Sequence, residues 1–273
     1  MRNPFSEQFM QDSTEQLMVV EGIKFQTYKF DPNLRPAFKR KHRYLIVLDI
    51  DETLLHAELI ETRGMRVQKF KETEYDCRVI FNTQDGELEV FGVKIRPHVE
   101  TFLKRMSKLY DLALYTASSK EYADKMAALL DPREEYFSTV LYREHCVKDK
   151  TRSIKSLAYF GEDKDVFIID NLMYSYALHL ERGIPILSFY DNMRDVELLD
   201  LVEVLERINS YDNMFELLDN MLGIREFQAA LKNRLLKQYS HHLTSPTSHK
   251  VNSVQTETQQ STEDFSPDVR SNL

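Results

Sequence analysis

The sequence predicts an α/β protein: a mainly parallel sheet with helices on both faces, into which a small β-hairpin is inserted. Two observations support this. Short, almost continuously apolar runs such as residues 44–48 recur along the 273-residue chain, as expected for buried parallel strands. Segments with apolar residues at helical spacing lie between these runs, so strand and helix alternate.

The hairpin is predicted within residues 70–95. Cys77, Val79 and Phe81 alternate with polar residues, and a second alternating run begins at Leu88. Between the two runs stands Asp85-Gly86, a dipeptide typical of tight hairpin turns.

The remaining elements follow in chain order. Arg96-Pro97 opens a helix, because proline suits the first helical turn, and Ser118 with Glu121 has capping-box spacing at the start of the next. Further strands are predicted at residues 112–116, 139–142, 166–170 and 186–189. After Asp195 two helices are predicted, with apolar faces formed by Val196, Leu199, Val202 and Leu205, and then by Ile224, Phe227, Leu231 and Leu235.

Three parts are predicted along the chain: an N-terminal extension at 1–40, a folded domain at 41–239 and a disordered tail at 240–273. The domain includes the β insertion at about 66–95 and C-terminal helices at about 195–239. The tail is rich in Ser, Thr, Gln, His and Asn, and its few large apolar residues cannot offset the entropy lost on ordering.

Composition excludes several classes of protein. A net charge of −8 argues against direct nucleic-acid binding, which depends on clustered Lys and Arg. No apolar stretch approaches the ~20 residues of a membrane span, so an intracellular protein of the nucleus or cytoplasm is expected. Cys77 and Cys146 are expected to be free thiols, and no sequence signal indicates an oligomeric state.

Two carboxylates follow the first strand, in the segment Asp49-Ile50-Asp51-Glu52-Thr53. Ligands bind open parallel sheets at this end of the strands, and alternation would direct Asp49 and Asp51 the same way. Asp49 could attack phosphorus, while Asp51 could protonate a leaving alkoxide and then activate water. The alternatives are a simple strand end or a calcium loop, although residues 49–54 lack the glycine that an EF-hand loop requires.

Three later segments favour the catalytic interpretation. Thr116 and Ala117 follow a buried strand at a helix start, where a hydroxyl and backbone amides could hold phosphate oxygens. Lys155 could neutralise a phosphoryl group, and Asp170-Asn171 offers hard oxygen ligands for Mg²⁺. Alone, each has a commoner explanation: a helix cap, a solvated lysine or a strand end.

The order of these motifs resembles that of the haloacid dehalogenase-like superfamily. More narrowly, residues 44–220 resemble the small C-terminal-domain phosphatases of RNA polymerase II, the FCP/SCP or NLI-interacting-factor-like group. The matching segments are residues 48–56, Arg96-Pro97, residues 115–118, residues 122–124, Tyr142-Arg143-Glu144 with Cys146, Asp170-Asn171, Asp191-Asn192 and Glu197-Leu198.

This resemblance implies a role for each matched site residue. Asp49 would be the nucleophile, Asp51 the general acid and base, and Arg143 a substrate contact. The implied phosphate-binding residues are Thr53, Thr116, Ala117 and Lys155. The implied Mg²⁺ site consists of the Asp49 carboxylate, the Asp51 backbone carbonyl and Asn171, with Asp170 close by and paired to Lys155.

The chain departs from the family where relatives hold a proline ring in an apolar groove. The aligned positions are Phe70, Asn82, Gln84, Phe91 and Ser119, and three of these five are polar. A Ser-Pro preference is therefore not expected. Leu172-Met173 also replaces the usual small residue and proline, so the loop after Asn171 is expected to differ in shape.

The leading functional prediction is a Mg²⁺-dependent serine/threonine phosphatase acting on a phosphoprotein or phosphopeptide, the RNA polymerase II C-terminal domain among the candidates. A catalytically weak phosphopeptide- or presequence-binding module of the same fold is an alternative, although such relatives tend to lose the paired acids retained here. A small-molecule phosphatase is another, but it would favour a helical cap over the predicted hairpin.

Overall fold

The structure is a computed structural model that describes residues 32–67, 75–83, 85–149, 152–161, 165–211, 213–223, 225–226 and 229–230. The first 31 residues and the predicted tail lie outside these ranges, so the three-part division stays a prediction. The face predicted for the last helix lies outside them too, at Ile224, Phe227, Leu231 and Leu235.

Eleven strands, four α-helices and several 3₁₀ segments make up the described chain, and α-helices or 3₁₀ segments connect the successive strands of the central sheet. The strands are β1 (Leu45–Leu48), β2 (Leu55–Thr62), β3 (Met65–Arg66), β4 (Cys77–Asn82), β5 (Leu88–Ile95), β6 (Asp111–Tyr115), β7 (Phe137–Leu141), β8 (Val147–Asp149), β9 (Arg152–Ile154), β10 (Val166–Asp170) and β11 (Gly183–Pro185). The α-helices are α1 (Val99–Met106), α2 (Lys120–Leu130), α3 (Glu197–Ile208) and α4 (Met214–Leu222). Short 3₁₀ segments occupy Pro32–Leu34, Arg143–His145, Leu157–Phe160 and Met173–Arg182.

The central sheet of the described residues has five parallel strands in the order β11-β10-β1-β6-β7. β1 lies in the middle between β10 and β6, and all four of its residues are fully buried. A strand covered on both faces has no solvent-facing positions, which explains its continuous apolar run. The carboxyl ends of β1, β6 and β10 therefore meet at one edge of the sheet.

The insertion after β1 is antiparallel, as predicted, but wider than a hairpin. β4 and β5 pair from Cys77↔Val93 to Asn82↔Leu88, and Gly86 in their turn has φ 78°, a conformation that favours glycine. β2 pairs with the other edge of β5, and β3 extends this sheet to the order β3-β2-β5-β4 within the described ranges.

Helices cover both faces of the central sheet, confirming the predicted α/β fold. All four α-helices contribute to the core on one face, together with Ile46 and Leu48 of β1. The other face packs Leu45 and Val47 against the 3₁₀ segments Leu157–Phe160 and Met173–Arg182. No helix in the part of the chain that the structure describes is long and apolar enough to cross a bilayer.

Some element boundaries differ from the prediction. The prediction of a strand at residues 186–189 is wrong. The strand β11 ends at Pro185, and Ile186 and Phe189 are buried in the loop that follows it. An apolar run indicates that residues are buried, but it does not show whether they belong to a strand or to a loop. The predicted face of α3 is shifted, because the helix begins at Glu197 and leaves Val196 exposed; its buried residues are Leu198, Leu201, Val202, Leu205 and Ile208.

Candidate active site

Asp49 lies immediately after β1 and is buried. Its Oδ2 accepts a hydrogen bond of 2.8 Å from the Thr53 hydroxyl, and its Oδ1 accepts one from Lys155 Nζ. The Asp49 amide continues the β1–β10 ladder by donating to the Ile169 carbonyl at 3.0 Å. Sheet pairing thus fixes the backbone of Asp49, while Thr53 and Lys155 orient its carboxylate.

Asp51 faces the loop after β6 and the start of α2. Its Oδ2 accepts hydrogen bonds from the hydroxyls of Thr116 at 3.0 Å and Ser118 at 3.3 Å, and its Oδ1 accepts one from the Tyr122 hydroxyl. Burial and the nearby Asp49 carboxylate raise the pKa of Asp51 to about 6. A carboxyl with such a pKa can hold and release a proton near neutral pH.

The helix containing Tyr122 begins one residue later than the capping-box spacing indicated. Ser119, not Ser118, caps α2, and its hydroxyl accepts a hydrogen bond from the Tyr122 amide at 3.3 Å. Ser118 is therefore free of the helix cap and turns its hydroxyl towards Asp51. The contact from Tyr122 was not predicted, because nothing in the sequence relates a helix residue to a carboxylate 71 positions earlier.

Lys155 is 2% exposed and lies between two carboxylates. Its ammonium donates to Asp170 Oδ2 at 2.6 Å as well as to Asp49. Burial alone lowers the pKa of a lysine, but the charges of Asp170 and Asp49 outweigh that effect and raise the pKa of Lys155 above its usual value. Lys155 lies between β9 and the 3₁₀ segment Leu157–Phe160, and its amide donates to the Ser175 carbonyl at 2.6 Å.

Asn171 lies beside these residues at the end of β10 and is also buried. Its amide nitrogen donates to Ser188 Oγ at 3.0 Å, which turns its Oδ1 towards the Thr53 hydroxyl at 3.5 Å. Ser188 was not predicted, because it lies in a loop with no motif. Leu172, where the chain departs from the pattern of the family it resembles, is 53% exposed.

Ala117 and Arg143 lie at the mouth of the site, where Arg143 Nε donates to the Ala117 carbonyl at 2.9 Å. Arg143 lines a cleft of about 420 Å³ together with Asp51, Ala57, Phe81, Asn82, Thr83, Glu89, Phe91, Ser118, Ser119, Glu121 and Tyr122. Three positions aligned with the family's groove, Asn82, Phe91 and Ser119, therefore line this cleft. Phe70 and Gln84 lie outside the described residues.

Arg96 joins loops beneath the site through a buried hydrogen-bond network. Its Nε and one terminal nitrogen donate to both carboxylate oxygens of Asp195, at 2.9 and 3.0 Å. Further donations reach the carbonyls of Thr53 at 3.0 Å and Leu187 at 2.8 Å. Arg96 thereby ties the loop that follows Asp49 to the loop containing Ser188.

Replacing Arg96 by lysine should destabilise the fold by about 2 kcal/mol, since an ammonium cannot reproduce this planar, multiply bonded arrangement. Urea denaturation measures the loss. Arg105→Lys is the matched control, because Arg105 forms a similar forked pair with Glu206 in an exposed position. We expect an unchanged unfolding curve for the control; equal losses in both variants would contradict the role of the buried network.

The oxygen atoms at this edge of the sheet fit a magnesium ion. Asp49 and Asp170 could supply carboxylates, Asn171 an amide oxygen and Asp51 a backbone carbonyl. Over the described ranges no three His, Cys, Asp or Glu side chains form a metal-binding group. Mg²⁺ typically takes one or two carboxylates and keeps several waters, which this set allows. Ser188 would orient Asn171 as an outer-shell partner.

The structure brings all the predicted site residues to one end of the parallel sheet, with Ala117 and Arg143 at its mouth. An acid directly after the first strand, a second acid two residues later, and a lysine shared with a third acid are the arrangement of a haloacid dehalogenase-like protein.

The family model for NLI interacting factor-like phosphatases matches residues 44–215, and the chain belongs to this family. The resemblance inferred from the motifs is therefore confirmed. The match ends before the predicted tail and begins just before β1, so it covers the sheet, the insertion and the site.

Several curated relatives are named as phosphatases. The chain is 39% identical over 166 residues to CTD small phosphatase-like protein 3 of Caenorhabditis elegans, covering 60% of this chain and 54% of that protein. It is 36% identical over 174 residues to carboxy-terminal domain RNA polymerase II polypeptide A small phosphatase 1 of Homo sapiens. This match covers 63% of this chain and 62% of that protein. The chain thus spans less than two thirds of the length of these relatives.

Among solved structures, the chain resembles that of Fcp1, described as an essential RNA polymerase II CTD phosphatase. The TM-score is 0.44 at 23% identity, with 76% of this chain and 55% of that chain covered. A likeness at this level supports no conclusion about activity.

Proposed function

We propose that this protein is a Mg²⁺-dependent phosphatase that removes phosphate from phosphoserine or phosphothreonine through an aspartyl-phosphate on Asp49. The observation that supports it best is that two neighbouring acids have different surroundings. Asp49 is paired with the ammonium of Lys155, whereas Asp51 has hydroxyl partners and a pKa raised to about 6. One acid is suited to attack and the other to proton transfer.

In the first step, a carboxylate oxygen of Asp49 forms a bond to phosphorus as the bond to the substrate oxygen breaks. Asp51 donates its proton to that departing oxygen, so the product leaves as a neutral alcohol. The Thr53 hydroxyl and Lys155 hold the Asp49 carboxylate in position before the attack. Lys155 also balances the charge that accumulates as the phosphoryl group approaches.

In the second step, water cleaves the aspartyl-phosphate. Asp51, now ionised, takes a proton from the water, whose oxygen bonds to phosphorus while the bond to Asp49 breaks. Inorganic phosphate is released, Asp49 returns to a carboxylate and Asp51 to its protonated form. The hydroxyls of Thr116 and Ser118 keep the Asp51 carboxylate in place during both transfers.

Asp49, the Asp51 carbonyl and Asn171 would hold Mg²⁺, with Asp170 behind them. When bound, the ion supplies positive charge that offsets the repulsion between an anionic nucleophile and an anionic substrate. Lys155 retains Asp170 as its partner in that arrangement.

The relatives' names suggest the class of substrate. Because one of them is named as a small phosphatase of the RNA polymerase II carboxy-terminal domain, we include that domain among the candidate substrates, beside other phosphoproteins. The cleft beside Asp51 is open to solvent along the β insertion, which suits a peptide chain. Nuclear and cytoplasmic phosphoproteins are both within this proposal.

We expect the protein to release inorganic phosphate from a phosphoserine peptide with Mg²⁺ present, and to lose this activity in EDTA. Added Mg²⁺ in excess of the chelator should restore it, because Asp49, the Asp51 carbonyl and Asn171 can then bind the cation again. A colorimetric phosphate assay measures activity, and isothermal titration calorimetry measures Mg²⁺ binding without substrate. Undiminished release in EDTA, or no Mg²⁺ binding, would contradict the metal assignment.

A further inference from the structure

The cleft beside Asp51 has an aromatic floor. Glu89 and Phe91 lie two residues apart on β5, so their side chains leave the same face of the sheet. Phe81 stands directly opposite Glu89 on β4 and stacks on Tyr122, with ring centroids 5.7 Å apart. The rings of Phe81 and Phe91 meet edge to face at 5.2 Å. The aromatic surface therefore connects the Tyr122–Asp51 hydrogen bond with Glu89.

The outer part of this cleft is acidic. Glu89 lines it from β5 and Glu121 from the first turn of α2. Glu121 is paired with Lys125 at 2.7 Å, whereas Glu89 forms no ion pair with any residue that the structure describes. Arg143 supplies a positive charge to the same cleft, which Asp51 also lines. A ligand in this cleft thus meets both a cation and a carboxylate that has no ion-pair partner within the described ranges.

The aromatic cluster already accommodates an ammonium group. Lys125 Nζ lies 4.4 Å from the centroid of the Phe81 ring. Phe81 is the residue that pairs with Glu89 across strands β4 and β5. Phe91 packs edge to face on Phe81 and Tyr122, yet it is only half-buried, so part of its ring beside Glu89 can receive an incoming side chain. A long basic side chain could lay its methylene groups on Phe91 and place its charge beside Glu89.

We propose that this cleft selects phosphopeptides with a lysine or arginine within two residues of the phosphorylated serine or threonine, with Glu89 as the main determinant. This inference rests on the proposed phosphatase function and names its substrate class. A proline ring could also contact the aromatic floor, but it would bring no group to pair with Glu89 or with the polar side chains of Asn82 and Ser119. Charge complementarity therefore favours the basic residue.

The test compares two sets of phosphoserine peptides. The varied position lies after the phosphoserine in the first set and before it in the second. In each set this position carries lysine, alanine, proline or glutamate. At low salt we expect kcat/KM for the better lysine peptide to exceed that for its alanine counterpart by about fivefold, the scale of one partly exposed ion pair plus a cation–π contact. The glutamate peptide should be the poorest. Raising ionic strength should reduce the lysine preference through screening.

Glu89→Gln should bring the lysine-to-alanine ratio close to one, and Glu89→Lys should reverse the preference towards the glutamate peptide. Glu87→Gln is the matched control, because Glu87 is an exposed carboxylate on the same hairpin that does not line the cleft. The control should retain the full ratio. Equal loss of preference in the two glutamine variants would overturn the assignment to Glu89.

Peptide affinity for the Asp49→Asn variant, measured by fluorescence anisotropy, separates this inference from the proposed function. A lysine preference in binding without phosphate release from any peptide by the unaltered protein would support the cleft assignment and overturn the phosphatase. Phosphate release at equal rates from all four peptides would support the phosphatase and overturn the inference. A proline peptide that is preferred in both assays would assign the cleft to the proline ring and overturn the basic preference.

Discussion

Replacing Asp49 by asparagine is expected to lower kcat/KM for a phosphoserine peptide by at least about 10³-fold, because the chemistry loses its nucleophile. An amide oxygen of nearly the same shape carries no negative charge with which to attack phosphorus. Lys155 keeps Asp170 as a partner, so we expect the variant to stay folded. Phosphate release and circular dichroism on the same preparation measure the two effects.

Asp124→Asn is the matched control for this substitution. Asp124 is exposed on α2 and pairs with Lys120, an arrangement that contributes little to stability and lies outside the proposed site. We expect its activity to equal that of the unaltered chain. Full activity in Asp49→Asn would refute the nucleophile assignment, and trapping of a phosphorylated protein that is absent from the variant would strengthen it.

Replacing Lys155 by methionine should have the largest effect on stability, about 3–5 kcal/mol by urea denaturation in EDTA. The substitution removes the one described cation bonded to both Asp49 and Asp170, leaving two buried carboxylates without a counter-charge. Methionine has a similar length, so lost packing contributes little. Phosphate release should fall as well, because the attack would proceed without the neutralising ammonium.

A double variant tests the electrostatic cause. Adding Asp170→Asn to Lys155→Met removes one of the two unpaired charges and should recover part of the lost stability. Lys120→Met is the exposed control, and its unfolding midpoint should not change. If the double variant were less stable than Lys155→Met alone, charge repulsion could not be the reason for the loss.

The motifs located the site because each of them is local. An acid directly after an apolar run indicates the end of a buried strand, and parallel strands that alternate with helices bring such ends to one edge. These two rules predict that Asp49, Asp51, Asp170 and Asn171 lie near one another. The prediction is wrong where one local pattern fits two structures: Ile186 and Phe189 are buried in a loop instead of a strand, and Val196 precedes α3 instead of facing the core.

The sequence by itself determined the α/β class, the family and the strand ends that carry the acids, since periodicity and strand-end chemistry are properties of a few neighbouring residues. The tertiary structure alone decided the partners of those acids. Three hydrogen bonds show this: they join Tyr122 to Asp51, Lys155 to Asp49, and Arg96 to Asp195. The paired residues are 71, 106 and 99 positions apart in the sequence. Such contacts depend on how separate elements pack, and no local pattern of residues encodes that geometry.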